Sequence, residues 1–296
     1  MMGLEAPVAL IAHDAGAANH IIAWLENNPG SEVRAFMAGP AETLWKQKCP
    51  NQDLSPSIES AINTARSVLT GSGWASTVEH DGRIAARALG LNCVAVIDHW
   101  TNYAVRFERD GQVVLPDEIW VADMWAARIA SVTFPDLKVV EQENVYLARE
   151  IAEINRHPQA TGILFVGEPA RDDWGKGIPG EFQALEYFLR SIAALDLPAD
   201  VPIRLRPHPS EPNGKYDNAI AKFPSLVLDQ SDSLAQALAA SKWVAGMQSY
   251  ALTVALAAGK TVFSALPPWA PDCVLPQEGI VYLRDLQKRS LSDEPA

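Results

Sequence analysis

Two short segments in the second half of the chain combine residue types that bind an anion. The first, Arg204–Ser210 (RLRPHPS), ends an alternating apolar run typical of a β-strand, and its two prolines break the strand so that His208 lies at its C-terminal end. The second, Gly246–Ser249 (GMQS), follows another apolar run and precedes a helical stretch, which makes Ser249 a candidate N-cap. Arginines, a histidine and a helix N-terminus with a hydroxyl are typical of a phosphate site.

A ligand site built on these segments also takes residues from a neighbouring strand end. Glu168 follows the first strand of the second half and offers a carboxylate to a ribose or a base. The two arginines have an alternative role, an ion pair with Glu211 or Asp229. We expect the ligand to contact Gly167, Glu168, Arg204, Arg206, His208, Gln248, Ser249 and Tyr250.

Short apolar strands alternate with helical stretches along the chain, which predicts parallel α/β units. Strands are expected at Val8–Ala12, Val33–Ala38, Ser67–Thr70, Cys93–Ile97 and Glu118–Ala122, and around Ile163, Ile203, Leu226, Trp243 and Thr261. Helices are expected at Ala17–Glu26, Asp81–Leu89, Glu181–Ala194 and Tyr250–Ala258, and from Met124. The polar stretch Ile151–Ala160 is predicted to join two Rossmann-like, doubly wound domains, 1–155 and 156–296. Ligands of such α/β domains bind beyond the C-terminal ends of the strands.

The end of the first strand carries His13 and Asp14, followed by small residues that let a helix start close to a ligand. A carboxylate in this position is a candidate general base, and His13 is a second candidate. The alternative is that Asp14 only caps the helix. Gly16 stands alone, so the Gly-x-Gly-x-x-Gly pattern of dinucleotide-binding oxidoreductases is missing.

Two further strand ends in the first half are rich in polar and aromatic groups. The loop Gly71–Ser76 precedes Glu79, whose alternative role is a capping box with Ser76. The segment Asp98–Tyr103 (DHWTNY) offers imidazole, amide and aromatic groups, the usual lining of a site for a polar small molecule. The residues expected to contact a second substrate are Asn19, Gly73, Glu79, His99, Trp100, Asn102 and Tyr103.

The composition excludes several classes of function. The chain has 296 residues, of which 48% are apolar and 20% charged, and its net charge is −12, so it is not expected to bind nucleic acid. Cys49, Cys93 and Cys273 form no spaced pair and are expected to be buried thiols. The histidines form no zinc motif, so we expect neither a metal nor an organic cofactor.

The N-terminus also bears on localisation. It has no basic region, and its apolar run is too short for a signal peptide or a membrane span. The sequence therefore predicts a cytoplasmic protein without a membrane span, which leaves a place in a membrane-proximal assembly open.

At this point the residues carry a resemblance to known enzymes. The stretch Asp229–Lys260 resembles the C-terminal domain of GT-B-type glycosyltransferases, in which a helix, a short strand, a serine-containing turn and a second helix form the donor site. The run Arg206–Pro209 (RPHP) looks like the His-Pro motif of bacterial sialyltransferases, polysialyltransferases and Kdo transferases. In those families the histidine and a downstream Ser/Thr pair bind the CMP phosphate of the donor, which implies donor roles for His208 and Ser249.

The resemblance implies a GT-B-like fold in which two domains face a central cleft, with the donor on the C-terminal domain and the acceptor on the N-terminal one. Gln248 stands in place of the second Ser/Thr, and Val254 in place of a ribose-binding glutamate, which favours a CMP-linked over a UDP-linked sugar. The loops Gly71–Glu79 and Asp98–Phe107 are similar to those of surface-polysaccharide biosynthesis proteins.

The resulting hypothesis is a metal-independent glycosyltransferase that uses a nucleotide-activated, CMP-linked acidic sugar and a carbohydrate acceptor. Asp14 takes the acceptor proton, with His13 in reserve, while His208, Ser249 and the helix N-terminus stabilise the departing phosphate. Two alternatives stay open: a nucleotide-sugar hydrolase or epimerase whose base is His13, Asp14 or His99, and a non-catalytic nucleotide-sugar binding protein.

Overall fold

The computed structural model describes residues 4–154, 160–170, 172–195, 197 and 201–286. The chain forms two compact units, Met1–Tyr146 and Leu147–Ala296. The sequence places the boundary a few residues later, within a predicted connection of which 155–159 lie outside the described residues.

The first unit is a parallel six-stranded sheet with an added two-stranded hairpin. Its strands are β1 (Val8–Ala12), β2 (Val33–Met37), β3 (Ser67–Thr70), β4 (Asn92–Ile97), the hairpin β5 (Glu108–Arg109) and β6 (Gln112–Val113), β7 (Glu118–Val121) and β8 (Lys138–Glu141). Its helices are α1 (Ala15–Asn27), α2 (Gly39–Lys48), α3 (Ile58–Ile62), α4 (Val78–Ala88), α5 (Met124–Thr133) and α6 (Val145–Ile154), the last of which continues into the second unit.

The second unit is also a parallel six-stranded sheet. Its strands are β9 (Gly162–Val166), β10 (Ile203–Arg206), β11 (Leu226–Leu228), β12 (Ser241–Gly246), β13 (Thr261–Ser264) and β14 (Ile280–Tyr282). Its helices are α7 (Gly180–Ser191), α8 (Asp217–Lys222), α9 (Leu234–Ala239) and α10 (Tyr250–Ala257).

The strand order places a topological switch point in each sheet. In the first unit the order is β2-β1-β3-β4-β7-β8, so the direction of chain progression reverses between β1 and β3. In the second unit the order is β11-β10-β9-β12-β13-β14, and the reversal lies between β9 and β12. Ligands of doubly wound sheets bind outside the C-terminal ends of the strands at such points. The loops after β1, β3, β9 and β12 are therefore the places to look for a site.

The first strand shows how apolar residues build the layers. All five residues of β1 are buried, because a parallel sheet covered on both faces leaves no strand face to water. Val8 and Leu10 pack with α1 and α2, whereas Ala9 and Ile11 pack with α3 and α4. Burial on both faces fixes the register of β1, and with it the position of the loop that follows.

The structure confirms the α/β class and every strand predicted from the sequence, with ends that differ by a residue or two. Helix α4 starts at Val78, earlier than predicted, and α7 ends at Ser191, after which Ile192–Ala194 form a 3-10 turn. The sequence analysis missed the edge strands β8 and β14, which have four and three residues. In β8 the charged residues Lys138 and Glu141 at the two ends leave an apolar run of only two residues.

Candidate active site

The loop after β1 is fixed by a buried carboxylate from α4. Glu79 has no exposed surface, and its Oε1 accepts hydrogen bonds from the backbone N–H of His13 at 2.7 Å and of Asp14 at 3.3 Å. Burial raises the pKa of Glu79, and the two N–H donors offset part of that effect. The backbone N–H groups at the start of this loop therefore have a hydrogen-bond acceptor inside the protein.

The side chains of His13 and Asp14 remain partly open to solvent. Asp14 occupies the N-cap position of α1, but its carboxylate makes no capping bond to that helix. Instead its Oδ1 lies 3.1 Å from Nδ1 of His13. The Asp14 side chain is 32% exposed and the His13 side chain 23%. Capping therefore does not account for Asp14, and a ligand can reach the carboxylate.

Two glycines leave room for these side chains. A Cβ on Gly73, in the loop after β3, would lie 2.0 Å from Oδ2 of Asp14. A Cβ on Gly39 would lie 2.5 Å from Nε2 of His13, and its φ of +52° is itself unfavourable for other residues. The neighbouring strand ends at the switch point therefore meet at the His13–Asp14 pair.

A second carboxylate lies beside the start of α1. Oδ2 of Asp98, the first residue after β4, would lie 1.8 Å from a Cβ on Gly16. Its other oxygen accepts from Nη1 of Arg106 at 2.9 Å, in an ion pair whose arginine is 4% exposed. Asp98 therefore lies against the first turn of α1, the helix whose N-cap residue is Asp14.

Two further arginines hold the loops that surround these carboxylates. Arg83 is buried and donates to the carbonyl oxygens of Val114, Gly71 and Arg106. Arg109 donates through Nη2 to the carbonyl of Gly73 at 2.6 Å. Burial lowers the pKa of Arg83 to about 10, so the group stays charged at neutral pH. The positive charges behind the site serve the architecture of the loops.

Three residues expected to contact an acceptor make hydrogen bonds within the first unit. Trp100 and Tyr103 are buried, with 7% and 4% of their surface exposed. Nε1 of Trp100 donates to both carboxylate oxygens of Asp123. The Tyr103 hydroxyl donates to the carbonyl of Ala126. Both side chains tie the loop after β4 to α5. Glu79 is buried too, and its contact with an acceptor stays a prediction. The Ser76 hydroxyl donates to Oε2 of Glu79 at 3.5 Å, but the N-cap of α4 is Thr77, so the two side chains do not form a capping box at the helix start.

The remaining acceptor candidates differ in their contacts. Asn19 lies on α1, and its Oδ1 accepts a hydrogen bond from Nζ of Lys48 at 2.9 Å. His99 lies beside the Trp100 ring, and burial lowers its pKa, which favours the neutral imidazole. Asn102 is exposed, and its φ of +60° belongs to a tight turn. Their roles toward a substrate stay predictions.

In the second unit, the switch point brings Glu168 and Gln248 together. Oε2 of Glu168, which follows β9, accepts from the backbone N–H of Gln248 at 3.0 Å. Burial raises the pKa of Glu168. The Gln248 side chain accepts from the N–H of Val274, which ties the start of α10 to the 271–279 loop. Gly167 donates its N–H to the Arg206 carbonyl at 2.7 Å, so the loops after β9 and β10 also touch.

The N-terminus of α10 has an unused hydroxyl. Ser249 occupies the N-cap position, as predicted, and Tyr250 is the first helical residue. The Ser249 side chain makes no capping bond, and its Oγ is buried without a hydrogen-bond partner among the described residues. A buried hydroxyl is expected to have a partner, and a ligand oxygen at the helix N-terminus would supply one.

His208 lies at the end of β10, separated from the end of β12 by the single strand β9. Its ring Nδ1 accepts the backbone N–H of Ser210 at 3.2 Å and lies 2.7 Å from the Ser210 hydroxyl. An acceptor at Nδ1 places the proton of a neutral ring on Nε2, which then faces outward as a donor. Glu211 holds the loop through the His208 N–H at 2.8 Å and through Lys215 at 2.7 Å.

The two arginines of the RLRPHPS segment form the ion pair left open as an alternative. Nη1 of Arg204 lies 2.8 Å from Oδ1 of Asp229, and Nη1 of Arg206 lies 2.7 Å from Oδ2. Arg204 also donates to the carbonyl of Ala237 and the hydroxyl of Ser241. The Asp229 side chain is fully buried. These contacts join β10 to the loop after β11 and to α9, so the arginines organise the unit.

The described ranges contain no group of three His, Cys, Asp or Glu side chains placed to hold a metal ion. The adjacent Asp172 and Asp173 instead accept backbone N–H groups of their own loop, from Trp174, Gly175 and Gly177. No helix in the described part of the chain has both the length and the hydrophobicity needed to cross a bilayer.

The chain resembles known proteins in its fold but not in its sequence. No protein-family model matches it, and no curated protein matches its sequence. Solved structures do match. The UDP-GlcNAc 2-epimerase from Methanocaldococcus jannaschii has a TM-score of 0.64 and 8% identity over 96% of this chain and 91% of that one. The protein has a GT-B-type fold.

Two other solved structures share that fold. MnaA of S. aureus, solved with UDP, has a TM-score of 0.60 and 13% identity over 97% of this chain and 88% of that one. The kitacinnamycin glycotransferase has a TM-score of 0.53 and 11% identity over 97% and 90%. An epimerase and a glycosyltransferase are thus both among the proteins with this fold.

Sequence reasoning missed residues whose importance depends on burial. Asp98 was passed over in favour of the aromatic residues after it, although its place directly after an apolar strand was a usable signal. Arg83 and Arg109 give no such signal, because each donates to a backbone carbonyl far away in the sequence.

Proposed function

We propose that this protein is an enzyme that acts on a nucleotide-activated sugar and transfers the sugar to an acceptor hydroxyl. The observation that carries the proposal is the His13–Asp14 pair at the β1/β3 switch point, with its backbone fixed by Glu79 and its side chains open. A fixed and accessible carboxylate is suited to take a proton from an attacking hydroxyl. The kitacinnamycin glycotransferase, which shares the GT-B-type fold, supports a transferase.

The first unit supplies the base in this proposal. Asp14 accepts the proton of the acceptor hydroxyl as its oxygen attacks the anomeric carbon of the donor sugar. His13 lies 3.1 Å from Asp14, which orients the carboxylate and offers a second site for the proton.

The second unit binds the nucleotide. The unpartnered Ser249 hydroxyl and the N-terminus of α10 receive phosphate oxygens, and His208 donates through Nε2. Negative charge grows on the leaving phosphate in the transition state, so donors fixed at that position lower the barrier. Arg204 and Arg206 support this site through Asp229 and do not contact the nucleotide.

CMP is the nucleotide favoured by the His-Pro resemblance of the segment around His208. The solved structures with this fold include a complex with UDP, which makes UDP the direct competitor. The proposal also requires no metal ion, because the Ser249 hydroxyl, the His208 ring and the N-terminus of α10 donate hydrogen bonds to the phosphate.

An epimerase or hydrolase of nucleotide sugars is a second candidate, favoured by one observation. Asp14 is the N-cap residue of α1, and Asp98 lies against Gly16 in the first turn of the same helix. Two carboxylates around one ligand can remove a proton and return it, as epimerisation requires.

The test is incubation with a panel of CMP-, UDP-, GDP- and TDP-sugars, with and without carbohydrate acceptors, followed by mass spectrometry. Glycoside formation and nucleotide release that depend on an acceptor support the transferase. Free sugar or an epimeric nucleotide sugar in the absence of an acceptor supports the second candidate. Binding without turnover of any donor would contradict both and leave a binding protein.

A further inference from the structure

We infer that Trp74 is a stacking platform for the carbohydrate ring on which the first unit acts. The inference rests on the proposed function and deepens it, because it identifies what holds the sugar beside Asp14. Trp74 belongs to the loop after β3, at the switch point, and is half-buried. None of the roles assigned above uses it.

The position of Trp74 is tied to the candidate base in two ways. Along the chain, it directly follows Gly73, the residue whose Cα faces the Asp14 carboxylate so closely that a Cβ would lie 2.0 Å from Oδ2. Through space, its ring lies against Arg106, which pairs with Asp98 beside Gly16. The ring thus contacts the arginine that pairs with Asp98, and its residue follows the glycine that faces Asp14.

The ring is held rigidly from one side. The Arg106 guanidinium carbon lies 4.7 Å from the ring centroid. That guanidinium is itself fixed by the carbonyl of Thr101 at 3.0 Å, by Asp98 at 2.9 Å and by the Ser72 hydroxyl at 3.3 Å. Arg109 anchors the loop through the carbonyl of Gly73. A ring fixed before a ligand arrives loses little entropy on binding.

The other side of the side chain suits a sugar. Trp74 is partly exposed, and its indole N–H has no hydrogen-bond partner in the part of the chain that the structure describes. The apolar C–H face of a pyranose packs on an aromatic face, while its hydroxyls need polar partners at the rim. The indole N–H, Asp14 and Asp98 offer such partners, and the surrounding carboxylates favour an uncharged ring over an acidic one.

The test uses saturation-transfer NMR on the full chain with methyl glucoside, methyl galactoside, N-acetylglucosamine and N-acetylmannosamine as probes. Trp74→Leu keeps apolar volume but removes the aromatic face, and Trp74→Phe keeps a face. Trp125→Leu is the matched control, because that half-buried ring in the same unit also stacks on an arginine, Arg128 at 5.3 Å. Circular dichroism checks that every variant is folded.

We expect at least one sugar to receive saturation in the parent, with a dissociation constant at least about threefold weaker in Trp74→Leu. Trp74→Phe should keep most of the affinity, and Trp125→Leu all of it. Thermal shifts by CMP and UDP should be the same in Trp74→Leu as in the parent, since the nucleotide is assigned to the second unit.

Three results would overturn the inference. The first is no saturation of any sugar in the parent at tens of millimolar, and the second is equal affinity in the parent and Trp74→Leu. The third is a loss of cytidine or uridine binding in Trp74→Leu while sugar binding persists, which would make the ring a nucleobase platform. Sugar binding through Trp74 with no turnover of any nucleotide sugar would contradict the proposed function but not the platform.

Discussion

The Asp14 carboxylate is open to a ligand because another residue satisfies the backbone around it. Glu79 accepts the N–H groups of His13 and Asp14, so Asp14 is not needed as a cap and its oxygens face solvent and His13. Burial of the Glu79 carboxylate lowers the stability of the fold, because desolvation disfavours the charged form and raises its pKa.

One prediction follows from the contact between Gly73 and Asp14. Gly73→Ala places a methyl group on the Asp14 carboxylate, which must rotate away. Because the end of a short side chain moves easily, we expect the melting temperature to change little. Turnover should fall by about tenfold or more, because the rate gained from a correctly positioned base is lost. Gly30→Ala is the control, since a Cβ there meets nothing within 4 Å. Parallel melting curves and initial rates decide the matter, and unchanged turnover by Gly73→Ala would separate Asp14 from the reaction.

The raised pKa of Glu79 predicts how its contribution to stability depends on pH. Between its ordinary pKa near 4.3 and the raised folded value, the folded state holds more of the proton than the unfolded state does. The contribution of Glu79 therefore becomes less favourable as pH rises through the raised pKa. We expect Glu79→Gln, which stays uncharged, to gain stability relative to the parent from pH 4 to pH 8.

Urea unfolding of both proteins at several pH values measures this trend. The comparison residue is Glu59, whose pKa is lowered by hydrogen bonds from its own backbone N–H and from Ser57. The sign for Glu59→Gln is opposite, since a lowered pKa stabilises the fold above the ordinary value and that stability is lost on acidification. Identical pH trends for the two variants would contradict the burial of Glu79.

The elements that carry the site follow from topology more than from any single motif. In each unit the chain reverses its direction of progression across the sheet, and the loops after β1, β3, β9 and β12 contain the polar residues that stand out. The sequence could identify these strand ends, because buried parallel strands are continuous apolar runs with abrupt polar ends. It could not identify which polar groups face inward. Arg204, Arg206, Trp100 and Tyr103 have the types expected of ligand contacts, yet their partners are Asp229, Asp123 and Ala126.

The proposed nucleotide site at the β9/β12 switch point predicts that a substitution of His208 weakens nucleotide binding. We expect CMP to raise the melting temperature more than UDP or GDP does, and His208→Ala to remove most of that shift. The exposed His208 ring contributes little to the core, so the variant should stay folded. A ligand at 100 times its dissociation constant adds about 2.7 kcal/mol of stability, which a thermal-shift assay resolves.

His80→Ala is unsuitable as a control because that ring is buried, whereas His157 lies outside the described residues. The control is therefore Ser225→Ala, an exposed residue that precedes β11 in the same unit. If His208→Ala binds CMP as tightly as the parent, the nucleotide site has been misplaced. A larger shift by UDP than by CMP would move the nucleotide preference to that of the MnaA complex.

The whole chain is acidic and has the GT-B-type fold, and both facts bear on metal dependence. With a net charge of −12, the protein must neutralise a phosphate with local donors or with a cation. The described residues provide a helix N-terminus, a hydroxyl and a histidine, and no three-residue metal cluster. We therefore expect activity to stay within about twofold after EDTA treatment, because such donors can stabilise the leaving phosphate themselves. Loss of activity that magnesium or manganese restores would contradict this.

The fold class, the order of strands along the chain and the candidate base follow from the amino-acid sequence. The paired strand order, the edge strands β8 and β14 and the buried polar contacts do not, because they depend on residues that meet from distant parts of the chain. Glu79 shows the difference. Its spacing from Ser76 is that of a capping box, but tertiary packing directs the carboxylate to the loop after β1.

The most direct test of the account is the turnover of nucleotide sugars by Asp14→Asn. Asparagine keeps the size of the side chain but cannot take a proton, so turnover should fall by about 10²–10⁴-fold. Affinity for CMP should be unchanged, since the nucleotide contacts are assigned to the second unit. Asp53→Asn, an exposed carboxylate of the first unit, should leave both quantities at the parent values. Near-normal turnover by Asp14→Asn with intact CMP binding would contradict the account and transfer the role of base to His13 or His99.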